Sequence, residues 1–183
     1  MAAIHVCFSS CGCNRTAHCV DWGRNGLVCY GACRAVAFYQ PQQSEGPGGI
    51  VANLVAHEDR VNCVKWISMQ DGGDETELVS GSSDRTAIVW QGTGTKFQPV
   101  AILEGHTGPV TALDALYCHN MEPGLCTTLI ATASSDSTVR IWQREEGGFQ
   151  YQQSISFGSG FAVDVSLAVL PGTTGNVLLL MLA

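Results

Sequence analysis

Short apolar runs separated by small polar turns recur along this chain. Residues 77–90 read ELVSGSSDRTAIVW, and residues 129–142 read LIATASSDSTVRIW. In each line a β-branched run, a Ser-Ser-Asp turn and a second β-branched run follow one another, which is typical of two antiparallel strands joined by a tight turn. The two lines share serine, aspartate, threonine and tryptophan at matching positions. The chain therefore contains an internal repeat.

Two further strands complete each repeat. AHEDRVNCVKW, from Ala56, and GHTGPVTALDA, from Gly105, each place a histidine in a turn before an alternating apolar strand. After each tryptophan a glycine-containing turn leads into another strand, in QPVAILEGH and QQSISF. Four short strands per unit, at a spacing of about 50 residues, predict the blade of a β-propeller.

Weaker copies flank the two clear repeats. HCVDW echoes NCVKW, and LVCYGACRAVAFY can be laid over LVSGSSDRTAIVW. This overlay matches Val28 with Val79, places Cys33 at the aspartate position and places Tyr39 at the tryptophan position. Near the other end, GFAVDVSLAVLP resembles PVTALDALY and begins another unit.

These units predict an all-β fold, an incomplete propeller of about three and a half blades of four-stranded antiparallel sheets. An N-terminal segment covers residues 1–16, and the partial propeller covers residues 17–183. The expected blades span about 17–55, 56–104, 105–157 and a truncated 158–183.

Composition and charge exclude several classes of protein. The 183 residues are 45% hydrophobic, which suits a globular core, but no apolar run reaches the roughly 20 residues that cross a bilayer. Nine scattered Lys and Arg residues and a net charge of −7 argue against a nucleic-acid-binding face. Nine cysteines without a secretion signal indicate reduced thiols, and hence a cytoplasmic and nuclear protein.

The repeated unit resembles the WD40 repeat, with Gly-His at one end and a tryptophan dipeptide at the other. The resemblance is strongest over residues 105–142, nearly as good over 56–90 and weak over 17–39. It implies a hydrogen-bonded tetrad in each blade, because a carboxylate buried in a turn needs donors. The two implied tetrads are His57, Ser80, Asp84, Trp90 and His106, Thr132, Asp136, Trp142.

The sequence between the motifs has a narrower resemblance. HEDRVNCVKW, TELVSGSSD, LCTTLIATASSDSTVRIW and FGSGFAVDVSLAVLP are similar to the WD40 subunits of the Elongator complex. That resemblance implies a scaffold without catalytic residues or cofactors, in a complex that modifies the wobble uridine of transfer RNA. Its implied partners are other protein subunits, with no direct contact to nucleic acid or membrane. An unrelated WD40 adaptor in ubiquitin ligation or signalling is the alternative of the same architecture.

Two alternatives would make the chain an enzyme or a metal protein. His57, Ser80 and Asp84 have the residue types of a hydrolase triad, but the same set recurs at His106, and no Gly-x-Ser-x-Gly turn is present. We therefore expect no catalytic residues.

The zinc alternative rests on the cysteine-rich start. Its possible ligands lack the paired C-x2-C spacing of most zinc sites, so free thiols are expected instead. These possible ligands are His5, Cys7, Cys11, Cys13, His18 and Cys19.

The acidic segment 71–77, DGGDETE, could bind a cation, but it lacks the alternating ligands of a calcium loop. It is expected to be a solvated loop.

Overall fold

The computed structural model describes residues 12–42, 47–68, 72–119, 126–169 and 177–182. Within these ranges the regular structure consists of strands. The strands are β1 (Val20–Trp22), β2 (Val28–Ala32), β3 (Ala35–Gln42), β4 (Pro47–Val55), β5 (Val61–Trp66), β6 (Glu77–Ser82), β7 (Ala87–Thr93), β8 (Lys96–Leu103), β9 (Val110–His119), β10 (Cys126–Ser134), β11 (Thr138–Glu145), β12 (Gly148–Ser156), β13 (Asp164–Val169) and β14 (Val177–Leu182).

The strands form four sheets in chain order. Strands β1 to β4 make the first sheet, β5 to β8 the second and β9 to β12 the third, each antiparallel with consecutive strands as neighbours. Strands β13 and β14 pair in the fourth sheet. Over the described residues the sheets do not close into a ring, so the prediction of an incomplete all-β propeller is confirmed.

The hydrophobic core lies between successive sheets, because alternate residues of each strand face opposite neighbours. In β7, Ile88 and Trp90 pack towards the first sheet, whereas Val89 packs towards the third. Three aromatic rings fill the space between the first two sheets: Phe38 lies 5.4 Å from Trp66 and 5.0 Å from Phe97, measured between ring centroids. Strand β6 and the first half of β7 are therefore buried on both faces.

The fourth strand of each of the first three sheets is its outer strand, and these strands are β4, β8 and β12. The pairing of each outer strand is irregular at the same point. Phe38 pairs with Ala52 and Tyr39 with Ile50, so the residue between these partners is skipped. The same shift recurs in the second and third sheets. The skipped residues are Val51, Val100 and Gln152. Such β-bulges increase the local twist of a strand.

The first sheet departs from the sequence overlay by one residue. In β2, Val28 pairs with Tyr39, whereas in the second sheet Leu78 pairs with Trp90. Tyr39 thus stands where Trp90 stands, as the overlay predicts. Val28, however, stands at the place of Leu78, so the overlay that matches it with Val79 is wrong.

A shorter turn explains this shift. Four residues separate the paired Gly31 and Val36 in the first sheet, whereas five separate the corresponding pair, Gly81 and Ala87, in the second. Cys33 lies in the short turn, exposed and with a φ of 53°. The first sheet therefore has no room for the Ser-Ser-Asp turn of the other two.

Candidate functional site

The second sheet carries a chain of buried hydrogen bonds. His57 lies in the loop before β5, Ser80 lies in β6, Asp84 lies in the β6–β7 turn and Trp90 lies in β7. The Nδ1 atom of His57 is 2.8 Å from Oδ2 of Asp84, and its Nε2 atom is 2.9 Å from Oγ of Ser80. The indole N–H of Trp90 donates to the same Ser80 oxygen at 2.8 Å. The structure thus brings the four residues of the first implied tetrad together.

The third sheet repeats this arrangement. His106 Nδ1 is 2.9 Å from Oδ2 of Asp136, and His106 Nε2 is 2.9 Å from Oγ1 of Thr132. Trp142 donates its indole N–H to Thr132 Oγ1 at 2.9 Å. A threonine replaces the serine without changing the pattern, because only its hydroxyl group takes part.

The partners and burial together set the protonation of both histidines. A carboxylate can only accept, so Nδ1 of His57 carries a proton and donates to Asp84. Burial lowers the pKa of His57, so the ring carries no second proton at neutral pH. Nε2 is then the acceptor, and the Ser80 hydroxyl donates to it while accepting from Trp90. The imidazole is neutral in this arrangement, and His106 has the same partners in the third sheet.

A threonine that the tetrad does not include completes each site. Thr86 donates to Oδ1 of Asp84 from its backbone N–H at 2.9 Å and from its hydroxyl at 2.7 Å. Thr138 makes the same two bonds to Asp136, at 3.0 and 2.6 Å. The sequence carried a signal for this role, since threonine is one of the residues shared by the two repeated lines.

The surroundings shift the pKa values of all four ionisable groups. Burial lowers the pKa of His57 and His106, although the neighbouring carboxylates act in the opposite direction. Burial by itself would raise the pKa of Asp84 and Asp136, but hydrogen bonds from the threonines and the histidines outweigh it. Both carboxyl groups therefore have a pKa below the usual range and stay ionised at neutral pH.

The burial of Ser80 decides against a hydrolase triad. A serine nucleophile must be reachable by substrate, and its hydroxyl must be free to attack. Ser80 is 0% exposed, and its oxygen already accepts the Trp90 N–H. Thr132 is also 0% exposed. What these sites can do chemically is hold the β6–β7 and β10–β11 turns against the loops that carry the histidines.

Over the described residues no group of three His, Cys, Asp or Glu side chains could hold a metal ion. His5, Cys7 and Cys11 lie outside the described residues. Cys13 is an exposed free thiol, and the buried Cys19 directs its sulfur towards backbone carbonyl groups.

The described part of the chain also contains no helix long and apolar enough to span a membrane.

The expectation of a solvated acidic loop at 71–77 is wrong for its second half. Asp71 lies outside the described residues and Asp74 is exposed, but Glu75 and Glu77 are each only 6% exposed. Glu75 accepts the backbone N–H of Asn25, in the first sheet, at 3.2 Å. Polar partners on neighbouring sheets therefore draw these glutamates inward.

Charged side chains also connect neighbouring sheets, which the sequence analysis did not predict. Arg144 of the third sheet forms an ion pair with Glu77 of the second. Asp21, in β1, accepts the backbone N–H of Trp66 at 2.8 Å, and Asp114, in β9, accepts that of Leu167 at 2.8 Å. We call the first strand of each sheet its inner strand. Each of these two carboxylates thereby connects the inner strand of one sheet to the inner strand of another. The strand HCVDW contains the first aspartate, but nothing in the local sequence shows that its side chain bonds to the next sheet.

A family model matches the two clear repeats. The WD40 model, described as "WD domain, G-beta repeat", matches residues 48–91 and 97–143. These ranges contain both tetrads, and each range ends at the residue after its tryptophan.

Similar proteins match nearly the whole chain. Elongator complex protein 2 of Danio rerio is 42% identical over 94% of this chain and 20% of its own length. The Mus musculus protein of the same name is 39% identical over 97% of this chain and 21% of its own length. The Homo sapiens protein is 39% identical over 90% and 20%. The chain thus spans about a fifth of the length of the relatives it matches.

Proposed function

Because this chain belongs to the WD40-repeat family, we propose that it works as a scaffold subunit of the Elongator complex. There it supports modification of the wobble uridine of transfer RNA through contacts with other protein subunits. The observation that carries this proposal is the similarity to Elongator complex protein 2, which extends over 94% of the chain at 42% identity and is not confined to the repeat motifs.

The role is non-catalytic and needs no cofactor. The two sites that carry His, Ser or Thr, and Asp are filled by their own mutual hydrogen bonds, and their hydroxyl groups are buried. A buried and fully bonded network stabilises a fold rather than reacting with a substrate. The surfaces that remain for function are therefore those that face other proteins.

The partners and the compartment follow from the same considerations. The net charge of −7 disfavours direct binding of this segment to nucleic acid. Five of the described cysteines are free thiols, which suits a reducing compartment. They are Cys13, Cys19, Cys29, Cys33 and Cys63. These observations support a location in the cytoplasm and nucleus, away from membranes, as part of the proposal.

Affinity purification of the tagged full chain from cells tests the proposal. We expect mass spectrometry to identify the other Elongator subunits, at levels well above those recovered with an unrelated tagged WD40 protein as the control. Recovery of a ubiquitin ligase or a receptor complex in their place would contradict the proposal and support the adaptor alternative. Stoichiometric zinc in the purified protein would instead support the metal-protein alternative.

A further inference from the structure

Four arginines lie together at the end of the sheets that carries the β2–β3 and β6–β7 turns. Asn14, Cys33 and Val61 are joined directly, because the Asn14 side chain donates to the carbonyl oxygens of Cys33 and Val61, both at 2.8 Å. The backbone N–H of Val61 also donates to the carbonyl of Cys33 at 2.9 Å. Each of these residues has an arginine beside it in sequence. They are Arg15, Arg34 and Arg60.

The fourth arginine joins the group through the next turn. The carbonyl oxygen of Arg60 accepts the backbone N–H of Ser83 at 2.8 Å, and Arg85 lies in the same turn as Ser83. Arg85 is held there with a φ of 74° by the bond from its N–H to the carbonyl of Ser82. We name Arg15, Arg34, Arg60 and Arg85 the arginine surface.

The charges of the arginine surface are largely unused within the fold. All four residues are exposed, and none forms an ion pair with another described residue. Only the Arg60 guanidinium has a hydrogen bond in the described part of the chain, to the side chain of Asn62 at 3.2 Å. By contrast, Lys65 and Arg144 are paired with carboxylates.

From this placement we propose that the arginine surface is a docking site for an acidic segment of a partner protein, with Asp and Glu side chains that pair with the guanidinium groups. Guanidinium groups bind carboxylates in a planar two-bonded geometry, and exposed complementary charges guide and orient a partner. The inference rests on the proposed scaffold function in that both require a protein partner.

The surroundings favour an acidic peptide over the backbone of a nucleic acid. Glu58 and Asp59 are exposed in the loop that precedes Arg60. A continuous run of phosphates crossing the surface would meet these two carboxylates, whereas a peptide can place its acidic side chains beside the arginines alone. The carboxylate of Asp84 does not pair with these arginines, because His57 and Thr86 occupy its oxygens.

The test compares two charge-reversed double variants of the full-length chain. Arg34→Glu with Arg85→Glu alters the arginine surface at two side chains that have no partner among the described residues. Arg24→Glu with Lys96→Glu changes the net charge equally at two exposed residues at the opposite end of the sheets, one in the β1–β2 turn and one at the start of β8. A fluorescein-labelled oligoglutamate peptide is the probe, an oligoglutamine peptide is its neutral control, and binding is followed by fluorescence anisotropy.

We expect wild type and the Arg24, Lys96 variant to bind oligoglutamate similarly, with an affinity that falls as salt rises. The Arg34, Arg85 variant should bind about tenfold more weakly, as expected from two reversed surface pairs. Cooperative denaturation of both variants checks their folding, and glutamine replacements at Arg34 and Arg85 serve if the glutamates prevent it. No binding by wild type, or equal losses in both variants, would overturn the proposal.

Two further experiments distinguish the inference from the nucleic-acid alternative and from the proposed function. Binding of a labelled single-stranded RNA through Arg34 and Arg85, without binding of oligoglutamate, would replace the acidic peptide by a nucleic acid. Purification of the Arg34, Arg85 variant from cells adds the last comparison. Loss of a subset of the partners that wild type recovers supports the inference, whichever complex they form. Absence of Elongator subunits from the wild-type sample contradicts only the proposed function.

Discussion

The first sheet and the second sheet solve the same packing problem in different ways. In the second sheet, Ser80 and Trp90 belong to a buried polar network that ends on the carboxylate of Asp84. In the first sheet, the pairing of the strands puts Tyr30 and Tyr39 at the places of Ser80 and Trp90, and both tyrosines are buried. The four-stranded sheet therefore does not require the tetrad. The tetrad adds stability and fixes one longer turn.

The inner strands of these two sheets show a second contrast. Trp22 and Trp66 occupy matching positions in HCVDW and NCVKW. Trp66 is 2% exposed and contacts Phe38 and Phe97, whereas Trp22 is 69% exposed. The two tryptophans should therefore contribute differently to the free energy of unfolding, because a neighbouring sheet covers Trp66 and leaves Trp22 exposed.

The largest expected effect is the loss of the Trp66 side chain. Trp66→Ala should lower the free energy of unfolding by about 3–5 kcal/mol, because it leaves a cavity among aromatic rings. Trp22→Ala is the matched control and should change it by no more than about 0.5 kcal/mol, the usual value for a surface position. Chemical denaturation of the full chain measures both. Similar losses in the two variants would show that the contrast between the sheets is absent in solution.

The next effect concerns the carboxylate of the third sheet. Asp136→Ala removes the acceptor for His106, Thr107 and Thr138, so these donors lose their partner inside the fold. We expect a loss of about 2–4 kcal/mol in the free energy of unfolding.

The control for Asp136 comes from the short turn of the first sheet. Cys33→Ala changes an exposed side chain there and should cost no more than about 0.5 kcal/mol. A loss below about 0.5 kcal/mol for Asp136→Ala as well would contradict a stabilising role for the tetrad.

A smaller effect should appear when the pH is lowered. Since burial lowers the pKa of His57 and His106, the unfolded chain binds more protons than the folded chain below the ordinary histidine pKa of about 6.5. Stability is therefore fully present above that pH and declines as the pH falls. A second decline should begin below about pH 4, where Asp84 and Asp136 bind protons more readily in the unfolded chain.

Denaturation curves measured between about pH 7 and pH 5 test the histidine contribution. The double variant His57→Gln with His106→Gln should be less stable than wild type at pH 7, but its stability should depend less on pH. A wild-type stability that rises on acidification in this range would be incompatible with neutral, buried histidines.

The smallest expected effect is a difference in thiol labelling rather than in stability. Cys13 and Cys33 are exposed, whereas Cys19, Cys29 and Cys63 are buried, and burial raises the pKa of Cys29 and Cys63. An alkylating reagent should therefore modify the first two in the native protein and all nine cysteines after unfolding without reductant. Mass spectrometry reads the result. Defined disulfide pairs in protein taken from cells would contradict a reducing compartment.

Repetition leads from the sequence to most of the fold, and the WD40 resemblance that the repeats carry leads to both tetrads. Two copies of the same line establish which positions matter, so His57 and His106 can be matched without any structure. The first sheet is harder, because one residue fewer in its turn moves every residue of β2 by one place. Val28 is apolar and is equally suited to the position of Leu78 or to that of Val79, so its residue type cannot decide the register of β2.

Contacts between sheets are also out of reach of the sequence. Glu77 lies within an acidic stretch that reads as a solvated loop, and its partner Arg144 lies in another repeat. A pairing over such a separation depends on how two sheets pack, and local propensity carries no information about that. The arginine surface is a similar case, since its members are scattered along the sequence and meet only through the turns.

The skipped residues of the outer strands have a consequence for solutions of this protein. An outer strand exposes a row of backbone donors and acceptors, and a second molecule can use that row as a template for a strand of its own. Repetition of that step produces fibrils. Val51, Val100 and Gln152 each interrupt the row near its middle, and Pro99 removes a donor beside one of the interruptions. A strand arriving from another molecule therefore finds no long straight edge to copy, so the rim of the sheets opposes growth into fibres.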